Sequence, residues 1–282
     1  MIFANAADAA TLTASPVMES SLPVTNLQLQ EGAFVARSTS TADQTIKFDF
    51  SDLRLSDNDM FVLLGDFSDE AEVQMTLYAG ANQTGDIVYT TTTTVWKAIP
   101  WEEFGPWGTY EWGGGKIYEV AGSDPAFIQA PIDDGATGLT YLSGQFIVVD
   151  PNNPDGYHNL KRLFIGELLQ PRLNFDFGHS LYVEDESEQE PDDGGGLISF
   201  HVEPSRRLQF TLSHMSDAEF SAFWRGINYA RKVNDVFIEA RPAANGILWA
   251  AHTMRAKFTS LPKFSSAYAG HWQAPFELRE VK

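Results

Sequence analysis

The chain has 282 residues, 43% of them hydrophobic and 13% aromatic, with no cysteine and a formal net charge of −19. The apolar content supports packed cores, the missing cysteines exclude disulfides and thiolate metal ligands, and the acidic surplus argues against nucleic acid, whose phosphates need a basic surface. No apolar run approaches the eighteen or so residues of a membrane helix, so no membrane insertion is expected, and the first fifteen residues lack the charged opening of a secretory signal.

In chain order, residues 1–21 are small and polar, as in Asn5-Ala6-Ala7-Asp8-Ala9-Ala10, and are expected as an extended arm. Residues 21–27 read as a turn anchored by Leu22 and Leu27. Residues 46–50 and 73–78 alternate apolar and polar, as half-buried strands do, and 60–64 form a continuous apolar run that fits a buried strand. Residues 87–95 carry five consecutive threonines, β-branched residues suited to a strand and poor for a helix.

Between residues 96 and 115 the character changes. Trp96, Trp101, Trp107 and Trp112, four of the seven tryptophans, sit here with Phe104 and Tyr110 among glycines and prolines. No period of 2 or 3.6 holds, so the stretch reads as a long aromatic loop, a kind that in compact domains usually carries function. Three uses of such rings stay open: stacking on sugars, anchoring a protein interface, or filling a local core beneath the loop.

Short strands are expected at 117–120, 127–128 and 146–149. Residues 150–157 are dense in turn formers and open onto an apolar strand at 163–166, and 174–178 read as a strand ending in a glycine turn. The run 184–193 holds seven carboxylates before Gly194-Gly195-Gly196, a pattern that predicts a solvated, flexible loop. Charge divides unevenly along the chain. Residues 1–196 contain 31 acidic and 8 basic residues, and residues 197–282 contain 7 and 11. The basic end has the sign to meet an acidic neighbour, another copy of the acidic region included.

Near the end, Ser216-Asp217-Ala218-Glu219 is a capping box that opens a helix over 216–233. Phe220, Phe223, Trp224 and Ile227 recur at i, i+3, i+4 and i+7 and define its core face. Strands at 197–202, 208–213, 236–240, 247–258 and 272–280 surround it, so its stripe must lie against a sheet or sandwich. The fold class is therefore mainly β with one helix. A β-domain over 1–149 with the Trp-rich insertion 96–115, a connecting segment 150–196 with the acidic loop, and a helix-bearing sandwich over 197–282 make up the chain.

No catalytic constellation stands out. Glu102 and Glu103 lie beside aromatics, but adjacent residues on a strand point to opposite faces, and glutamine at either position is expected to leave function intact. The six histidines form no metal-binding pair, and no nucleophile elbow, phosphate loop or dinucleotide fingerprint occurs. Residues 150–156 have the look of a calcium loop, yet the glycine falls one place late and Arg162 stands where the bidentate glutamate belongs. No metal, cofactor or enzymatic activity is expected.

Residues 10–95 resemble the galactose-binding-like (discoidin-type) jelly roll of bacteriophage tail proteins, through Leu22-Pro23-Val24-Thr25-Asn26-Leu27, residues 46–50, 60–65 and 71–78. Asn153-Pro154-Asp155-Gly156-Tyr157, Arg162-Leu163-Phe164-Ile165-Gly166, Pro171 to Asn174, Phe177-Gly178 and Phe276-Glu277-Leu278 are similar to a pattern of tail-tip and baseplate proteins of long-tailed phages. The resemblance implies a galactose-binding-like jelly roll followed by a tail-tube-like β-sandwich with a flanking helix. It further implies a virion component assembled in the host cytoplasm as a homo-oligomeric ring, joining tail tube and hub proteins. A carbohydrate-binding module for host-surface glycans is the alternative, with Trp96, Trp101, Trp107, Tyr110 and Trp112 as contacts to glycan or to protein.

Overall fold

The computed structural model describes residues 1–56, 58–68, 71–94, 126–131, 139–191, 196–241, 249, 251–268 and 270–282. The chain folds as two compact units, one built on Ile2–Leu168 and the other on Leu169–Arg241 with Ala251–Lys282. The segment 150–196, expected as a connector, is thus shared out. Its first strand belongs to the first unit and its last elements to the second.

The first unit contains β1 (Thr11–Ser15), β2 (Ala36–Arg37), β3 (Gln44–Ser56), β4 (Asp59–Asp66), β5 (Glu72–Tyr78), β6 (Ile87–Thr94), β7 (Ala126–Pro131), β8 (Leu139–Val149) and β9 (Asn159–Glu167). They form a five-stranded sheet, β1-β3-β8-β5-β6, and a four-stranded sheet, β2-β9-β4-β7. Every pairing is antiparallel. β4 is buried from Asp59 to Gly65, as its unbroken apolar run requires of a strand between two neighbours. The two sheets meet through aromatic rings. Phe61 of β4 lies 6.1 Å from Phe48 of β3 and 6.3 Å from Phe146 of β8, centroid to centroid. A Cβ at position 144 would collide with the Phe48 ring, so β8 needs glycine there. This is the antiparallel jelly-roll sandwich that the sequence leads one to expect.

The first ten residues are not an extended arm. Ile2 and Phe3 are buried, and the Asn5 side chain substitutes for a strand along β9. Its Nδ2 donates to the Leu163 carbonyl (2.8 Å), while its Oδ1 accepts from the N–H groups of Ile165 (2.9 Å) and Ala7 (3.1 Å). Asp8 accepts both Nη groups of Arg162, at 2.6 and 2.8 Å. The Arg162 side chain is wholly buried and also donates to the Leu27 carbonyl at 3.0 Å. Small residues, which read as an extended arm, allow this close approach. A Cβ at Gly166 would strike the Ala4 carbonyl oxygen.

The second unit comprises β10 (Ser180–Glu184), β11 (Glu188–Pro191), β12 (Leu197–Phe200), β13 (Ser205–Met215), α1 (Asp217–Ala230), β14 (Val236–Glu239), β15 (Thr253–Ser260), β16 (Ser265–Tyr268) and β17 (His271–Glu280). One antiparallel sheet runs β10-β13-β17-β15-β14 with β16 on β17, and β11 and β12 form a separate two-stranded ribbon. Among the described residues, this unit is therefore a single sheet covered by a helix rather than the two-sheet sandwich expected. One helix burying one stripe is enough to seal one face of an antiparallel sheet. The carboxylate run is likewise not all loop. Ser187 exchanges hydrogen bonds with the Val202 backbone and closes the ribbon at its base. Residues 174–178 form no strand. They turn through Gly178 at φ +97°.

The capping box is present in full, with Ser216 Oγ accepting from the Glu219 N–H (3.3 Å) and the Glu219 carboxylate from the Ser216 N–H (2.7 Å). Glu219 also accepts from the Arg172 N–H at 2.6 Å. Burial opposes its ionisation, but these backbone donors, Arg172 first and then Ser216, outweigh that and hold its carboxyl below the ordinary value of 4.5. A depressed carboxylate contributes stability above its unfolded pKa and loses it as pH falls through the folded one. Glu219→Ala should therefore cost about 1 kcal/mol near pH 7, and the gap to wild type should close as pH falls below about 4.5. Chemical denaturation of both proteins across that range checks it.

The core face of α1 is shifted from the expected stripe. Phe223 and Ile227 are buried and joined by Ala230, while Phe220 is half-buried and Trp224 is 49% exposed. Phe223 meets Phe276 of β17 edge-on at 5.9 Å, which fixes the helix rotation and turns Trp224 to the rim. There it packs on Phe220 and Phe264 (5.9 and 5.8 Å), and Phe220 stacks on Trp272 at 4.1 Å.

Candidate functional site

The registers bring chemistry-bearing residues to one end of the first unit. In the five-stranded sheet, Thr94 faces Glu72 and Glu72 faces Val149. In the other sheet, Asp66 and Arg37 both face Asn159, and Gly65 faces Ala126. Ser68, just after β4, donates its N–H to the Asp150 carboxylate just after β8 (2.9 Å), so these strand ends belong to the same end of the sandwich. Thr94 and Ala126, which bracket the Trp-rich segment, both lie here. Trp96, Trp101, Trp107, Tyr110 and Trp112, with Glu102 and Glu103, fall outside the described residues.

The floor of this end is a buried polar network. The Asp150 carboxylate, wholly buried, accepts from the Ser68 N–H and Oγ and from Asn153 Nδ2 (2.9 Å). Asn153 Nδ2 also donates to the Asp66 carbonyl at 3.0 Å. The stretch that has the look of a calcium loop is thus a turn, closed through Gly156 at φ +77°. Its first carboxylate is occupied by hydrogen bonds. His158 donates its N–H to Ser38 Oγ (2.7 Å) and accepts from the Ser38 N–H (3.0 Å), pinning the segment after β2 to the same turn.

Above that floor stands the Arg37–Tyr157 stack. The guanidinium lies 4.2 Å from the centre of the tyrosine ring, and its Nε donates to Asn159 Oδ1 at 2.8 Å. Both side chains are half-buried, so they are held in place yet reach solvent. Near them in chain or register are an exposed Asp155 and a Lys161–Asp66 ion pair at 2.8 Å. A rigid aromatic, a planar donor fork and carboxylate acceptors can together grip a polyhydroxylated molecule with apolar faces. Sequence reasoning singles out the tryptophans and not this stack, because Arg37 and Tyr157 are 120 positions apart and only the fold brings them together.

Other polar clusters serve the fold. Tyr141 donates to Asp59 (2.6 Å) and accepts from Arg54 (3.1 Å), while Arg54 reaches Asp59 at 3.3 Å. Burial first, and then the Asp59 charge, push the Tyr141 hydroxyl far above its usual range, so it stays a donor. The ring is fully buried, which leaves no route for a substrate. In the second unit an open groove of about 570 Å³ is lined by Phe177, Gln209, Lys263 and Glu277, with Gln209 and Glu277 hydrogen-bonded to each other at 3.2 Å. Among the described residues, no group of three or more His, Asp or Glu side chains is arranged to hold a metal ion.

No protein-family model and no curated protein sequence matches the chain. Solved structures similar to it include chitosan-binding module 1 of a chitosanase/glucanase from Paenibacillus sp. IK-5. That match has 13% identity and a TM-score of 0.38, over 57% of this chain and 98% of that one. The family 32 carbohydrate-binding module of C. perfringens NanJ, solved with galactose, matches at 8% identity and a TM-score of 0.34 over 56% and 93% of the two chains. An F-lectin (fucolectin) from Morone saxatilis (striped bass) serum matches at 11% and 0.34 over 99% and 92%. None of these likenesses is close enough to bear on what this chain binds.

Proposed function

We propose that the protein is a non-catalytic carbohydrate-binding module that grips an uncharged or amino sugar at the Arg37–Tyr157 end of its jelly roll. The observation that carries this reading is the convergence, at one end of the sandwich, of that stack with the two strand ends that bracket four tryptophans. Acidic sugars are disfavoured by charge, since residues 1–196 carry 31 carboxylates against 8 basic groups. Binding is tested by calorimetry against neutral, amino and acidic oligosaccharides. Neutral or amino sugars should bind, and Tyr157→Ala and Trp107→Ala should each weaken binding by about tenfold, or about 1.4 kcal/mol. A protein that binds no saccharide, or only acidic ones, overturns the reading.

A second reading follows from the tail-tip resemblance of the sequence. It makes the chain a structural component of a phage tail, placed in the virion beside tail tube and hub proteins. The β11–β12 ribbon of the second unit, where Leu197, Ile198 and Phe200 are exposed, favours it, because an apolar surface of that kind is suited to assembly.

A further inference from the structure

The open groove of the second unit has a floor and two walls that the strand registers build. Phe223 of α1 meets Phe276, so Pro275 and Glu277, its neighbours on β17, point to the opposite face of the sheet. β15 ends its pairing at Ser260, opposite Glu277, and β16 begins at Ser265, opposite Gln273. Pro275 falls between the two, a position that tolerates a residue without an N–H. Residues 261–264 cross the same gap and form one wall, with Leu261 and Lys263 exposed. The turn through Gly178 forms the other wall, where the Phe177 ring is wholly exposed.

Across the floor the side chains join in one row. Ser180 faces Gln209, Gln209 faces Glu277, and Glu277 faces Ser260. Ser180 Oγ donates to Gln209 Oε1 at 3.3 Å, while Gln209 Nε2 and Ser260 Oγ each donate to the Glu277 carboxylate at 3.2 Å. Arg207 meets the Glu277 charge at 3.5 Å, so the row is held in place and calls for no ionic ligand. Four strands at their usual spacing carry this row over about 14 Å.

We propose that the groove is a second saccharide site, which takes an extended, uncharged oligosaccharide laid across the strands. Phe177 offers a ring for the apolar face of a sugar, Pro275 adds a flat apolar patch to the floor, and the row supplies donors and acceptors for hydroxyls. The length of the floor selects a chain over a single sugar. A protein partner would have to desolvate the whole polar row to gain one aromatic ring, which favours the sugar. The proposal rests on the reading of the protein as a saccharide binder, but it concerns a different unit from the Arg37–Tyr157 stack, so the two sites can fail separately.

Hydrogen exchange on the full chain, with and without cellohexaose or mannohexaose, tests it. One of these should slow exchange at residues 176–180 and 260–265, in wild type and equally in Tyr157→Ala. In Phe177→Ala the concentration giving half of that protection should rise about tenfold, which corresponds to about 1.4 kcal/mol. The melting temperature should not change, because the ring is wholly exposed. Glucose and mannose should need at least about tenfold more than the matching hexasaccharide for the same protection. Protection confined to the neighbourhood of Tyr157 overturns the second site and leaves the first, and protection nowhere removes both. Protection that Phe177→Ala leaves intact overturns the assignment. So does groove protection that rises with protein concentration in the absence of sugar, which would give the face to a second copy of the chain.

Discussion

Asp8→Ala should destabilise the protein by roughly 3–5 kcal/mol, although Asp8 lies in a stretch that reads as an extended arm. The loss arises at Arg162, whose side chain is wholly buried and whose two Nη groups meet the Asp8 carboxylate at 2.6 and 2.8 Å. Removing the carboxylate leaves a buried guanidinium with the Leu27 carbonyl and the Phe164 ring, 5.2 Å away, in place of its counter-charge. An uncompensated buried charge costs far more than a surface pair contributes. The double variant Asp8→Ala/Arg162→Met, which removes the charge as well, should recover part of the loss. Denaturant titration of the three proteins decides the point. A single variant no less stable than the double one would show that Arg162 is not the origin.

Asp235→Ala should have a comparable effect in the second unit. Asp235 and Arg255 are 2.7 Å apart, with side chains only 1% and 4% exposed, and they tie the entry to β14 to the middle of β15. Truncation should again cost roughly 3–5 kcal/mol, and Asp235→Asn, which keeps an acceptor for Arg255, should cost less. Hydrogen exchange localises the change. Protection should fall in β14 and β15 and persist in β4 and β9 of the first unit, as expected if each unit opens on its own. Equal loss of protection in both units would contradict that independence.

Local signals in the sequence were reliable where one element decides its own conformation. The capping box at Ser216, the alternation of residues 46–50 and the apolar run at 60–64 each encode their element within a few positions, and the structure has all three. Reading failed where distant residues decide. Asn5 and Asp8 are small polar residues in an alanine-rich stretch, and their meaning lies 158 and 154 positions away at Leu163 and Arg162. Trp224 fits the helical period as well as Phe223 does, but the position of Phe276 on the neighbouring strand sets which ring faces in. Strand patterns alone point to a sandwich for the second unit, because they do not say how many sheets the strands will join. At the candidate site the aromatic segment was legible from composition, while the Arg37–Tyr157 stack depended on β2 pairing with β9.

The Asn5 bridge also sets an order of events during synthesis. Its partners are on β9, so residues 2–8 cannot settle until the ribosome has added about 160 more, which takes roughly 10–30 s at typical elongation rates. β1 pairs earlier with β3, and β3 must wait for β8. Until then the buried faces of β3, β4 and β5 have no complete sandwich to enter. Such high contact order makes the first unit a slow folder whose nascent chain exposes sticky strands, and it gives chaperones a natural window in which to act.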